Sequence, residues 1–101
     1  MARENKFQAK LIKEIETRFP GSIVMKNDAN YIQGIPDLTI LYKDKWATLE
    51  CKRSESEVKK ARKNQPYYIN KMNEMSFSRF INPENIEEVL DELQRTFELE
   101  R

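Results

Sequence analysis

Two apolar runs separated by a short polar triplet limit the folds open to this chain more than any other feature of its sequence. The triplet, residues 43–45, reads Lys-Asp-Lys, and apolar residues dominate on either side of it. This pattern is typical of a β-hairpin with a tight turn, and it predicts a hairpin over residues 36–52. A hairpin that pivots on the triplet places Asp37 opposite positions 50–52.

Three charged side chains converge on one point of the predicted hairpin. Side chains alternate along a strand, so Glu50 and Lys52 project from the same face, and Asp37 lies across from them. The other face carries the apolar residues Ala47, Leu49 and Cys51. Glu-x-Lys alone is most often an exposed polar edge and Pro-Asp alone commonly marks a turn, whereas their combination at facing positions is more specific.

This trio suits a divalent-metal site that acts on phosphodiesters. Asp37 and Glu50 supply the hard oxygen ligands that Mg²⁺ prefers, and the main-chain carbonyl of Cys51 is a further candidate ligand. Lys52 then orients or deprotonates the attacking water, or offsets charge on the phosphate. Because unpaired charges are costly in a half-buried strand, a functional reason for all three is favoured.

The rest of the chain adds helices and one more strand around the hairpin. Apolar spacing and turn residues predict helices over 3–18, over 64–75 and from Asn82 onward, and strands over 22–26 and 77–81. We expect proline at the first position of both later helices. Pro66 follows Gln65, and Pro83 follows Asn82, the expected N-cap. The order helix, three strands, helix, strand, helix predicts one α/β domain over residues 1–101, built around a small mixed sheet.

Composition excludes several classes of site. The chain has no histidine, which removes zinc–histidine sites, histidine bases and Ser-His or Cys-His nucleophile systems. Cys51 is the only cysteine, so no internal disulfide can form. No apolar run approaches the ~20 residues of a membrane span and the N-terminus lacks a signal-peptide pattern, so we expect a soluble, cytoplasmic protein.

The segments Pro36-Asp37 and Glu50-Cys51-Lys52 resemble the signature of PD-(D/E)xK nucleases. Their setting is similar to that in VRR-NUC and Holliday-junction-resolvase-like nucleases, many of them phage-encoded. The resemblance covers nearly the whole chain and implies a restriction-endonuclease-like αβββαβ core, here with an extra C-terminal helix. It also implies that Asp37 and Glu50 are metal ligands, that Lys52 is the catalytic lysine, and that Mg²⁺ is the cofactor, with Mn²⁺ as its substitute.

Two further contributions to the site follow from the same resemblance. Gln65 is similar to the glutamine that such nucleases often place beside the site, although a structural polar residue near a helix start is the competing interpretation. The family often adds an acid from the first helix. Glu14 and Glu16 flank the apolar stripe of that helix, whereas Glu4 and Gln8 lie within it, which favours Gln8 and Glu4 as the first-helix contribution.

A basic stretch follows the hairpin. Its positive side chains, between the candidate lysine and Gln65, are Arg53, Lys59, Lys60, Arg62 and Lys63. A segment that binds the phosphate backbone would hold nucleic acid close to the site, and a solvated charged loop is the plainer alternative. Residues 1–81 carry a net charge of +6 and residues 82–101 a net charge of −5, so the body of the chain suits a polyanion.

Together these features predict a Mg²⁺-dependent DNA endonuclease. A chain of 101 residues leaves little room for a sequence-reading subdomain, so we expect selection of branched or junction DNA by structure. Symmetric cutting of two strands needs two sites, which predicts a homodimer. We expect no association with a membrane. If a phage encodes the chain, we expect the protein in the cytoplasm of the host. The alternatives are a catalytically inactive nucleic-acid-binding module of the same fold, and an interaction protein whose acidic last helix docks a basic partner.

Overall fold

The chain alternates helices and strands in a computed structural model that describes the backbone of residues 2–99 and the side chains of residues 5–99. In chain order the elements are α1 (Ala2–Arg18), β1 (Ile23–Lys26), β2 (Leu38–Tyr42), β3 (Lys45–Cys51), α2 (Glu55–Lys59), α3 (Asn64–Met75), β4 (Ser78–Ile81) and α4 (Ile86–Glu98). The predicted α/β class is confirmed, and the short helix α2 is the one addition to the predicted order. Within the described residues none of the helices has the length and apolar character needed to cross a membrane.

The four strands form one mixed sheet in the order β1-β2-β3-β4. β1 and β3 each pair antiparallel with β2, whereas β3 and β4 run parallel. Parallel neighbours require a crossover connection, and α2 and α3 provide it between β3 and β4. The small mixed sheet expected from the sequence is therefore confirmed.

The hairpin turn is shorter than the predicted triplet. Tyr42 pairs with Lys45, so Lys45 belongs to β3 and only Lys43 and Asp44 form the turn. Lys43 adopts a φ of 57°, and positive φ in a two-residue connection matches the twist of the flanking strands. The register of β2 with β3 stays within the range predicted from the sequence.

One face of the sheet packs against α1 and α4 to form the core. The buried residues of these two helices are Leu11, Ile15, Val89, Leu90, Leu93 and Phe97, and Phe19 is buried directly after α1. From β3, Ala47, Leu49 and Cys51 are fully buried on this face, as alternation predicts. Complete burial of a large aliphatic side chain contributes about 1.5–3 kcal/mol relative to exposure, so this face strongly favours the observed register.

The opposite face of the sheet is only partly covered. There α3 packs over β3, and Thr48 Oγ1 lies 3.4 Å from Met72 Sδ and 2.7 Å from Ser78 Oγ of β4. On β1 and β2 the same face leaves Ile23, Met25 and Leu41 exposed. An open side of the sheet therefore remains beside α3.

Two helix starts differ from those predicted. Pro66 is the third residue of α3 rather than its first. α4 begins at Ile86, later than predicted, because Asn82 closes the preceding turn instead of capping the helix. Its Oδ1 accepts hydrogen bonds from the N–H groups of Glu84 and Asn85 at 2.8 and 3.0 Å. Asparagine side chains often bond the main chain a few residues on in this way.

Candidate functional site

Asp37 and Glu50 face each other where β2 begins and β3 ends. The ladder between these strands pairs Leu38 with Leu49, and Asp37 and Glu50 are the next residues outward. The N–H of Asp37 donates to Glu50 Oε1 at 3.1 Å, and the N–H of Cys51 donates to Asp37 Oδ2 at 2.9 Å. Each carboxylate is thus held by the main chain of the other strand, and the predicted meeting of these two residues is observed.

Lys52 lies beside the Glu50 carboxylate, as expected for residues two apart on a strand. Its Nζ is 3.7 Å from Glu50 Oε2, and its N–H donates to the carbonyl of Ile81 on β4 at 2.9 Å. Glu50 is only 4% exposed and the Lys52 side chain only 15%. A carboxylate removed from water to this extent is costly unless it is paired, so the nearby ammonium group offsets part of that cost.

Gln65 completes the cluster from the first turn of α3. Its Nε2 donates to Glu50 Oε2 at 3.0 Å, which fixes the orientation of the amide because the reverse would place two oxygens together. The amide oxygen, Oε1, is then buried without a hydrogen-bond partner among the described residues. A buried acceptor without a partner lowers stability by about 1–3 kcal/mol. Unsatisfied groups of this kind are often found at ligand-binding or catalytic sites. The predicted place of Gln65 beside Glu50 is observed.

The oxygen atoms of this cluster fit a hard divalent cation. Asp37 and Glu50 supply two carboxylates, and the described residues contain no group of three or more His, Cys, Asp or Glu side chains arranged around a metal. The Cys51 thiol is buried on the core face, so only the main-chain carbonyl of this residue is a candidate ligand. The unpartnered Gln65 Oε1 is a further neutral oxygen. One or two carboxylates with neutral oxygens and several waters is the arrangement that Mg²⁺ prefers.

The first-helix contribution to the site stays a prediction. The side chain of Glu4 lies outside the described residues. Gln8 is half-buried on α1, in the same stripe as the buried Leu11 and Ile15, so the described part of α1 places it on the side that faces the sheet. Glu14 is also half-buried, at the margin of the stripe.

The predicted basic stretch begins just before α2 and continues along α2 and its connection to α3. All five side chains are exposed: Arg53, Lys59, Lys60, Arg62 and Lys63. Arg53 NH2 forms an ion pair with Glu57 at 3.1 Å. Arg62 lines a cleft together with Gln65, so the end of this stretch borders the cluster. The arrangement provides exposed positive charge next to the carboxylates.

Asn27 is a contributor that sequence reasoning missed. Its N–H donates to the carbonyl of Asp37 at 2.8 Å. Its side-chain amide donates to the carbonyl of Pro36 and to Thr39 Oγ1, both at 2.9 Å. These bonds fix the main chain on both sides of Asp37. The sequence marks Asn27 only as one of several turn-forming residues, and its partners lie nine or more residues away, beyond the reach of a local pattern.

The described residues thus join two carboxylates, a lysine and a glutamine into one hydrogen-bonded and ion-paired cluster at one end of the two central strands. The cluster forms from three separate parts of the chain, namely the start of β2, the end of β3 and the start of α3. Comparisons of the chain with protein-family models, with curated proteins and with solved structures found no match.

Proposed function

We propose that this protein is a Mg²⁺-dependent DNA endonuclease of restriction-endonuclease-like fold that acts on branched or junction DNA. The observation that carries the proposal is the meeting of Asp37, Glu50 and Lys52, with Gln65 bonded to Glu50. The same residues carry the sequence signature Pro36-Asp37 and Glu50-Cys51-Lys52. Two acids and a lysine drawn together at the margin of a core are costly to keep there, which supports a chemical role.

Each residue of the cluster would have a separate role in phosphodiester hydrolysis. Bound Mg²⁺ would supply Lewis-acid polarisation of the phosphate and a more acidic bound water. Asp37 and Glu50 would hold the ion, and Gln65 keeps Glu50 in one orientation through its 3.0 Å hydrogen bond. The Lys52 ammonium group, 3.7 Å from Glu50, would orient the attacking water and stabilise negative charge that develops on the phosphate.

The surroundings of the cluster suit DNA as the substrate. The exposed basic residues on α2 and in the connection to α3 can contact phosphates without reading bases. Contacts of this kind favour selectivity for DNA structure over recognition of a base sequence. A homodimer would provide the two sites that symmetric cutting of a junction needs. We expect the protein to act in the cytoplasm. If a phage encodes the chain, this is the cytoplasm of the host cell.

Cleavage assays with matched variants test the proposal. Purified protein is incubated with linear, flapped and four-way-junction DNA in Mg²⁺, Mn²⁺ or EDTA. Glu50→Gln is compared with Glu88→Gln, which changes an exposed acid on α4. We expect metal-dependent cleavage that Glu50→Gln reduces at least about 100-fold, since removal of a partner of a metal ligand alone typically costs 10–100-fold, and that Glu88→Gln leaves intact.

Two outcomes would overturn the enzymatic assignment. Cleavage that persists in EDTA, or that Glu50→Gln does not affect, would exclude the proposed metal site. Tight binding of junction DNA without cleavage in either metal would identify the inactive binding module instead. In that case Asp37→Asn and Lys52→Ala would leave the biological activity of the protein unchanged.

A further inference from the structure

Residues 28–36 form a compact loop that leads directly into Asp37 of the cluster. Its two ends are tied together by the hydrogen bonds of Asn27 to the carbonyls of Pro36 and Asp37. Inside the loop, Asp28 accepts from the N–H groups of Asn30 and Tyr31 at 2.8 and 3.1 Å. Loops closed at the base in this way hold a fixed shape on the surface and often carry function.

The loop is docked directly on the start of α3. Asn64 Nδ2 donates to the carbonyl of Gln33 at 3.1 Å. Gly34 has a φ of 92°, and a Cβ atom at this position would lie 2.6 Å from Asn64 Cγ. The close approach of the two segments therefore requires glycine at position 34. As a result the loop and the first turn of α3 enclose a cleft of fixed width.

This cleft borders the carboxylate cluster and is polar. Its volume is about 270 Å³, at the small end of ligand sites, so it suits a group of nucleobase size. The polar side chains that line it are Asn30, Gln33, Arg62, Asn64 and Gln65, and none of its described lining residues is acidic. Gln65 belongs to both places, because it lines the cleft and donates to Glu50.

The polar lining of the cleft and an aromatic ring on the adjacent loop indicate which ligand the cleft binds. The side-chain amides of Asn30, Gln33 and Asn64 line the cleft and supply both hydrogen-bond donors and acceptors. Tyr31 lies on the same loop, next to the lining residue Asn30, and is 82% exposed. Amides that read base edges, an arginine and an exposed aromatic ring are the groups that bind unpaired bases.

We propose that this cleft receives an unpaired nucleotide of the DNA next to the bond that is cut, with Tyr31 stacking on a neighbouring base. The proposal rests on the proposed nuclease function and narrows its substrate to DNA with a single-stranded arm or an opened branch point. A base that is still paired in a duplex presents no free Watson–Crick edge and does not fit a cleft of this size.

Binding measured without catalysis tests this inference. Fluorescence anisotropy in EDTA compares a labelled duplex with the same duplex that carries a single-stranded arm. Tyr31→Ala is paired with Tyr67→Ala, since Tyr67 is an exposed tyrosine of α3 that lies outside the loop of residues 28–36. Ala29→Leu fills the cleft and leaves its polar groups in place. Because Tyr31 and Ala29 are both exposed, we expect these variants to fold normally.

We expect the armed DNA to bind more tightly than the duplex. Tyr31→Ala should weaken binding of the armed DNA by about 5- to 150-fold, the range for loss of one base–aromatic stack, with little change for the duplex. Ala29→Leu should lower the same preference, and Tyr67→Ala should not. Equal binding of both DNAs, or a preference that survives Tyr31→Ala and Ala29→Leu, would overturn this inference while leaving the nuclease proposal standing. Absence of DNA binding even at low salt would overturn both.

Discussion

Asp37 and Glu50 are bonded to each other's strands: the N–H of Asp37 donates to Glu50 Oε1 at 3.1 Å, and the N–H of Cys51 donates to Asp37 Oδ2 at 2.9 Å. This reciprocal arrangement fixes both carboxylates without a rigid scaffold of side chains. The Glu50 carboxylate also accepts from Gln65 and lies beside Lys52. Glu50 therefore contributes to stability as well as to the proposed chemistry, and substitutions can separate the two.

Glu50→Gln and Glu50→Ala should differ in stability. Glutamine keeps an oxygen that accepts from Asp37, and the Gln65 amide can turn to pair with the new amide, so the free energy of unfolding should change by less than about 1 kcal/mol. Alanine leaves the Asp37 N–H and the Gln65 amide without their acceptor, which should cost about 1–3 kcal/mol. Urea denaturation followed by circular dichroism measures both. Equal losses of stability would contradict the bonding described for Glu50.

Gln65→Ala should reduce Mg²⁺-dependent cleavage more strongly than it lowers the free energy of unfolding. Gln65 orients Glu50, and loss of a residue that orients a metal ligand typically costs 10–100-fold in affinity or activity. We expect cleavage to fall by about that factor and the required Mg²⁺ concentration to rise. Asn70→Ala, at an exposed position on the same helix, serves as the control. An unchanged Mg²⁺ dependence would show that Gln65 has no part in holding the ion.

The sequence predicted those parts of the site that local patterns determine. The apolar alternation and the turn fixed the register of the hairpin, and the register alone brings Asp37 to Glu50. The stripes of α1 and α4 were equally readable from helical periodicity. Gln65 was placed by its resemblance to a family pattern rather than by spacing, because its approach to Glu50 depends on the whole crossover from β3 to α3.

Other features of the site could not be predicted from local sequence patterns, for a physical reason. Asn27 and Asn64 act through main-chain atoms that are distant in sequence, and no periodicity encodes such bonds. The start of α4 was predicted too early because the chain has asparagines at both 82 and 85, and either can cap a helix. Asn82 is used in the turn, and Asn85 takes the N-cap position.

Gly34→Ala should be more destabilising than Gly21→Ala, although both glycines have nearly the same backbone conformation. Their φ angles are 92° and 90°, so either substitution should cost about 1–2 kcal/mol in backbone strain. A Cβ at Gly21 would meet nothing within 4 Å, whereas one at Gly34 would overlap the Asn64 side chain. Overpacking of this kind adds about 1–3 kcal/mol. Thermal unfolding of both variants measures the difference, and equal values would mean that the loop does not dock on Asn64.

The pKa of Glu57 should report on Arg53. The hydrogen bond from Arg53, followed by its charge, lowers the pKa of Glu57 below its ordinary value of 4.5. The small stabilisation that comes with this shift is present above pH 4.5 and is lost as the pH falls through the lowered pKa. Arg53→Ala should return the pKa towards 4.5, and Arg18→Ala, which removes ion pairs to α4, should leave it unchanged. A carbon-detected NMR titration of the Glu57 carboxyl group measures both.

The same titration tests whether Arg53 contacts DNA. If a phosphate takes the Arg53 guanidinium group, Glu57 loses its partner and its pKa should rise on addition of DNA, as it does in Arg53→Ala. Lys52 and Lys60 also lower the pKa of Glu57, so the rise should be partial unless these residues move to phosphates too. A pKa that DNA leaves unchanged would exclude Arg53 from the interface.

The proposed homodimer should form through the edge strand β1, which carries exposed apolar side chains. Ile23 is paired with Leu41 on β2, Leu41 is paired with Trp46 on β3, and the three side chains form one row across the sheet. Ile23 is 56% exposed, and it lies on an edge strand whose outer main-chain groups can pair with a second copy. A twofold axis beside β1 would pair the β1 strands of two copies and place their Ile23 side chains next to each other.

Ile23→Lys should therefore produce a monomer, because it places a charge in the middle of that contact and leaves the core untouched. Size-exclusion chromatography with light scattering should give twice the chain mass for the unsubstituted protein and a single chain mass for Ile23→Lys. Tyr67→Lys, at an exposed apolar position on α3, should remain dimeric. The monomeric variant should still nick one strand of a junction, since each chain carries a complete cluster, but it should lose paired cutting. A single chain mass for the unsubstituted protein, both alone and with junction DNA, would refute the dimer and with it the symmetric cutting of two strands.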